Sequence, residues 1–83
     1  MFRVKVYITF KEGVADPQGA TILHALHSLG WKKVNKVKTG KYFQIELEEE
    51  KEGEVKKAVE KMCERILVNP VIEKYEYQIE KVR

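Results

Sequence analysis

The sequence predicts an α+β fold: a single domain over residues 1–83 of order βαββαβ, a four-stranded antiparallel sheet with two helices on one face. Three observations predict it. Residues 2–10 alternate strictly, with Phe2, Val4, Val6, Ile8 and Phe10 on one side and Arg3, Lys5, Tyr7 and Thr9 on the other, the period of a half-buried strand. Two later stretches space their apolar residues at helical intervals instead. Pro70 then forces Asn69 out of the helical region, and a second alternating run follows with Tyr75, Tyr77 and Ile79 on one face.

Each element has a local cause. After the first strand, residues 11–15 form a loop in which Gly13 is free to take positive φ. Asp16 and Pro17 read as N-cap and first helical residue, because the carboxylate can accept an orphan N–H and proline lacks one to lose. Gly19, Ile22, Leu23, Leu26 and Leu29 make the apolar stripe of the first helix, which Gly30 ends in a left-handed cap. Val34 and Val37 mark a short, lysine-rich second strand. Thr39-Gly40 turns into a third, where Phe43, Ile45 and Leu47 alternate with Gln44, Glu46 and Glu48. The second helix runs from about Glu52 to Leu67, with Val55, Val59, Met62 and Ile66 as its core stripe and Ala58 and Cys63 beside it. Val71-Ile72 opens the last strand. The order is the split βαβ of ferredoxin-like domains, in which the first and third strands are central and both helices share a face. The opposite face displays Arg3, Lys5, Tyr7 and Thr9 with Tyr42, Gln44, Glu46 and Glu48, whose charges can pair across strands.

Size and composition narrow the function. A chain this short buries only about 60–65% of its unfolded surface, so self-association, as a homodimer or a higher oligomer, relieves a thin core. No run of about 18 apolar residues predicts a membrane span, and the alternating N-terminus cannot serve as a signal-peptide core. The lone Cys63 excludes an internal disulfide and suits a reducing cytoplasm. Charge is divided along the chain. Residues 1–45 carry eight Lys/Arg against Glu12 and Asp16, a net +6, with the excess at Lys32, Lys33, Lys36, Lys38 and Lys41. Residues 46–83 carry eight Lys/Arg against eleven Glu, a net −3.

No catalytic constellation emerges. His24 and His27 stand three apart on the first helix, but no cysteine or carboxylate nearby completes a metal set. Cys63 lies on the flank of an apolar stripe, the setting of an inert buried thiol. Ser28 is next to His27 on a helix, where neighbours diverge, and Asp16 is used as a cap. The five glycines never cluster into a phosphate-binding loop. Two other functions suit the predicted topology. A basic domain of this type can stack single-stranded nucleic acid on central-strand aromatics, yet here Glu46 and Glu48 would face the phosphates. A ligand-sensing regulatory module could use the loop between Gly13 and Gly19.

Four stretches carry a more specific likeness: Asp16-Pro17-Gln18-Gly19, Leu29-Gly30-Trp31, Thr39-Gly40-Lys41, and the run Leu67-Val68-Asn69-Pro70-Val71-Ile72-Glu73-Lys74-Tyr75-Glu76. In this order and spacing the sequence resembles PurS, the small subunit of bacterial and archaeal phosphoribosylformylglycinamidine synthase, over essentially Val4 to Val82. It departs at Lys74, where the family more often has an acidic residue. The resemblance implies a non-catalytic, cytoplasmic subunit of a carbon–nitrogen ligase of purine biosynthesis, with no cofactor of its own. A glutaminase subunit (PurQ) would release ammonia, and a large synthetase subunit (PurL) would use ATP and magnesium to convert FGAR to FGAM. The small subunit would bridge them and assist ammonia transfer. Asp16, Pro17, Gln18 and Gly19, with Lys38, Lys41, Asn69 and Pro70, are the residues expected to meet those partners.

Overall fold

In a computed structural model describing residues 1–82, the chain forms β1 (Phe2–Phe10), α1 (Pro17–Ser28), β2 (Gly40–Leu47), α2 (Glu52–Met62) and β3 (Glu73–Lys81). The sheet is antiparallel in the order β2-β1-β3, with Val4 opposite both Ile45 and Ile79. It has three strands, where the sequence reading expected four. The segment around Val34 and Val37 is not a strand, so β2 is an edge rather than a central strand. The reason lies in where that segment's polar groups go. The Trp31 N–H donates to Leu26 O at 3.0 Å, the His27 ring meets Val34 O at 2.7 Å through Nε2, and the Thr39 N–H donates to Asp16 at 2.7 Å. Residues 31–39 therefore track back along α1. With two valines among lysines, they bury too little to prefer the sheet.

The core is built on one face of β1. Phe2, Val4, Val6 and Ile8 pack with Val55, Val59 and Cys63 of the second helical segment, and Phe43, Ile45, Leu47, Tyr75, Tyr77 and Ile79 border them. Tyr77 Oη donates to Glu60 Oε2 at 2.6 Å. That bond, followed by burial, pushes the phenol up to about 12. The Cys63 thiol is likewise raised, chiefly by burial, as expected of a structural cysteine.

Beyond Met62 the helix continues as a π turn, Cys63–Leu67, closed by Val68 N–H to Cys63 O at 3.0 Å. The extra residue in that turn shifts the helical phase of its last side chains. Val68 becomes buried and Leu67 packs on the core, while Ile66, expected in the stripe, is 80% exposed.

The expectation of two helices on one sheet face fails for α1. Its caps are those predicted: Asp16 accepts from the Gly19 N–H, Pro17 opens the helix, and Gly30 takes φ +110°. Yet Gly19 is its only buried residue, and the helix reaches the sheet only sparsely, Gln18 at its start sharing a hollow with the end of β1. Leu29 and Trp31 are 72% and 58% exposed. The helix and its returning segment form an arm, and the molecule extends 50 × 28 × 14 Å. Its radius of gyration is 16.4 Å, against about 12 Å for a compact domain of this length. The arm leaves the inner face of β2, Phe43, Ile45 and Leu47, only half-buried.

Candidate functional site

Three of the four motif segments, those at residues 16–19, 39–41 and 67–76, meet at one end of the sheet. Asp16 is the first junction. Its Oδ1 accepts from the Gly19 N–H at 2.9 Å and from Thr39 Oγ1 at 2.8 Å, and its Oδ2 accepts from the Thr39 N–H at 2.7 Å. These bonds favour the charged form and hold the carboxyl below its ordinary value, the Thr39 N–H contributing most. Gly19 is fixed by sterics: a β-carbon there would meet Val37 O and the Asp16 carboxylate.

Glu73 is the second junction. Counting by twos from Tyr77 and Tyr75, it falls on the core-facing side of β3, and it is 8% exposed. Glu73 Oε1 accepts from the Asn69 N–H at 2.8 Å, and Oε2 lies 3.4 Å from Lys41 Nζ across the end of β1. Asn69 in turn organises its own loop. Its side-chain Oδ1 accepts from the Val71 N–H at 3.1 Å, and its carbonyl accepts from Glu73 N–H at 2.8 Å. Lys11 closes the arrangement, its N–H donating to Ile72 O at 2.9 Å and its ammonium to Pro70 O.

The residues expected to meet partners thus divide in two. Gln18, Lys41 and Glu73 line one open hollow of about 100 Å³ with Thr39. Lys38 lies on a neighbouring one of about 80 Å³, paired to Glu12 at 3.1 Å. Pro17, Asn69 and Pro70 are exposed at the same end. Lys74 reaches Glu12 at 4.0 Å. Glu73 and Thr39 were not among the expected site residues. Glu73 was detectable, since a glutamate on the inward parity of an alternating strand requires a partner.

The open face of the sheet is self-compensated. Arg3 lies between Glu46 at 3.1 Å and Glu80 at 3.3 Å, and Lys5 is 3.8 Å from Glu80. The Tyr7 and Tyr42 rings lie 5.2 Å apart, with Glu76 opposite Tyr7 on β3. An aromatic pair so placed among carboxylates is poorly suited to a polyanion.

The family model described as PurS, phosphoribosylformylglycinamidine (FGAM) synthase, matches residues 3–81. The phosphoribosylformylglycinamidine synthase subunit PurS of Archaeoglobus fulgidus is 51% identical over 84% of this chain and 88% of its own length. The crystal structure of Methanocaldococcus jannaschii PurS, one of the subunits of formylglycinamide ribonucleotide amidotransferase in the purine biosynthetic pathway, superposes with a TM-score of 0.91 at 44% identity, covering all of both chains. A chain in the structure of PurLQS from Thermotoga maritima superposes with a TM-score of 0.88 at 34% identity, over 95% of this chain and 96% of that one. The chain belongs to the PurS family, the PurS subunits of phosphoribosylformylglycinamidine synthase in purine biosynthesis.

Proposed function

We propose that this chain is the non-catalytic subunit that docks a glutaminase subunit, PurQ, against a synthetase subunit, PurL, in the cytoplasm, and assists ammonia transfer between them. The observation that carries this reading is the match, over nearly the whole chain, to the PurS fold found in the Thermotoga maritima PurLQS structure. The chemistry requires such a part: ammonia that reaches bulk water is protonated and lost, so the site releasing it and the site consuming it must be held together. ATP and magnesium act on PurL, and glutamine on PurQ. Among the described residues no cluster of three His, Cys, Asp or Glu is placed to hold a metal ion. The docking surface is the end of the sheet where Gln18, Lys41, Asn69 and Pro70 converge.

The working form is a homodimer. The accessible surface is 6426 Å², whereas a compact monomer of this mass exposes about 5,100 Å². The excess of about 1,300 Å² per copy would give a dimer interface of about 2,600 Å², within the obligate range. The partly exposed stripe of α1, with Ile22 and Leu29 exposed and Leu23 and Leu26 half-buried, and the half-covered inner face of β2 supply apolar surfaces for it.

The test is reconstitution with the PurL and PurQ of the same organism, with ATP, magnesium and glutamine. Glutamine-dependent FGAM synthesis that requires this chain, which alone turns over neither glutamine nor ATP, is the expected result. Equal synthesis without the chain would overturn the reading.

A further inference from the structure

Two surfaces of the chain stay open within a single copy. One is the α1 arm, where Ile22 and Leu29 are exposed, Leu23 and Leu26 are half-buried, and Trp31 at the tip is 58% exposed. Trp31, Lys32 and Lys33 border one open hollow of about 400 Å³ with Gly30 and Val34. The other surface is β2. Its inner face, Phe43, Ile45 and Leu47, is only half-covered, because Val55 and Val59 of α2 pack over β1. Directly after Leu47 come Glu48, Glu49 and Glu50, exposed around an open hollow of about 370 Å³ that they share with Met1. Among the described residues, Lys32 and Lys33 form no ion pair, and neither do these three glutamates.

Resting on the homodimer proposed above, we infer that the two copies exchange arms: α1 of each lies on the inner face of β2 in the other, and Lys32 and Lys33 at its tip meet the other copy's Glu48, Glu49 and Glu50. The shape of the chain sets the geometry. The nine residues of β1 span about 30 Å and the twelve of α1 about 18 Å, which laid end to end account for the 50 Å long dimension. The arm thus points away from its own sheet, from a base at the Asp16–Thr39 clamp. A two-fold axis beside that clamp lays each arm back along the other copy's sheet. Since β2 begins next to Thr39 and ends at Leu47, the arm tip reaches the far end of the other copy's β2, where the glutamates are. Apolar stripe then meets apolar face, and unpaired lysines meet unpaired glutamates. Charge fixes the direction too, because a reversed arm would set Lys32 and Lys33 beside Lys38 and Lys41. Each sheet gains a two-helix layer, its own α2 over β1 and its partner's α1 over β2. A second copy is the occupant because one chain supplies both halves of the contact, the condition for a two-fold interface.

The experiment measures the dissociation constant of the dimer by sedimentation equilibrium and follows Trp31, the one tryptophan of the chain, by fluorescence. One variant carries Lys32→Glu with Lys33→Glu, and a second carries Glu48→Lys, Glu49→Lys and Glu50→Lys. All five side chains are exposed, so both variants keep the fold. Each alone sets like charges against each other at both contacts and is expected to weaken dimerisation by about ten-fold or more. Mixed in equal amounts, the two set opposite charges together at both contacts, and the mixed dimer is expected to recover wild-type affinity. Trp31 emission is expected to shift to the blue as the wild-type dimer forms from dilute chain. A mixture no tighter than its parts would overturn the exchange, because it would show the charges acting within one chain. Variants as tightly dimeric as the wild type, or Trp31 emission unchanged on dimerisation, would overturn it equally while leaving the homodimer in place. A wild type that stays monomeric would overturn the homodimer and the exchange with it.

Discussion

Asp16 and Thr39, twenty-three residues apart, are joined through both backbone and side chain: Thr39 donates its N–H to Oδ2 at 2.7 Å and its hydroxyl to Oδ1 at 2.8 Å. The clamp closes the base of the α1 arm, so one carboxylate both starts the helix and fixes where the chain re-enters the sheet.

The clamp should be acid-sensitive. The Asp16 carboxyl is held low because its charged form accepts the Thr39 and Gly19 N–H groups. Its stabilisation is complete above the unfolded carboxyl value of about 3.9 and is lost as pH falls through the lower folded value. Asp16→Asn, whose amide nitrogen cannot accept from the Thr39 N–H, should lower Tm at neutral pH and flatten the loss of Tm as the pH falls below about 4. Thr39→Val, which deletes only the hydroxyl bond, should cost about 1 kcal/mol. Thermal melts across that pH range check both.

Gly19→Ala should destabilise the protein, against the usual rule for helices. In an exposed helix interior this change is favourable by about 1 kcal/mol. Here the added methyl meets Val37 O and the Asp16 carboxylate, neither of which can retreat without opening the clamp. Overpacking of this kind costs about 1–3 kcal/mol, so the net Tm change should be a decrease. An unchanged or raised Tm would show that the arm base is looser than these contacts indicate.

How much of this was legible in the sequence depends on whether a local rule was left alone by its surroundings. The Asp16-Pro17 start, the Gly30 cap, the alternation of β1 and the helix stop before Pro70 are short-range facts, and each appears as read. Val34 and Val37 failed as a strand because α1 competes for the same backbone groups, which spacing alone does not reveal. Ile66 left the core because a π turn changed the helical phase. The α1 stripe was recognised as apolar, but sequence periodicity shows only that a face needs covering and not what covers it. At the candidate site the motifs pointed to Asp16, Asn69 and Lys41, and the inward parity of Glu73 marked it as needing a partner, but that it ties Asn69 to Lys41 required the register across β1.

The arm predicts how the copies associate. Leu29→Asp and Trp31→Ser together remove apolar area from surface that is already 72% and 58% exposed in the single chain, so they should leave the fold intact. Light scattering should report twice the 9.7 kDa chain mass for the wild type. The double variant should shift toward the monomer at micromolar concentration. A double variant as fully dimeric as the wild type would place the interface elsewhere, with the open sheet face the next surface to test.

The last prediction concerns Lys41 and Gln18, and the structure changes how it must be tested. Both are exposed and share the hollow beside Thr39, so both are candidates for contact with a partner. Gln18 has no hydrogen bond within the described structure that its loss would break, so Gln18→Ala should keep the wild-type Tm and weaken assembly if the site is a docking surface. Lys41 is not so clean. It lies 3.4 Å from the carboxylate of Glu73, a residue only 8% exposed, and Lys41→Ala would strand that charge with only the Asn69 N–H for a partner. The lysine side chain is 58% exposed, so water screens the pair and the loss should be about 1 kcal/mol. Glu73→Gln removes the charge yet keeps an amide oxygen that can accept from Asn69 N–H. The double variant Lys41→Ala with Glu73→Gln should therefore recover stability relative to Lys41→Ala alone. If its assembly with PurL and PurQ is still weakened, Lys41 acts through the partner. If assembly returns together with Tm, Lys41 serves the loop, and Glu73 is the residue on which that end of the sheet depends.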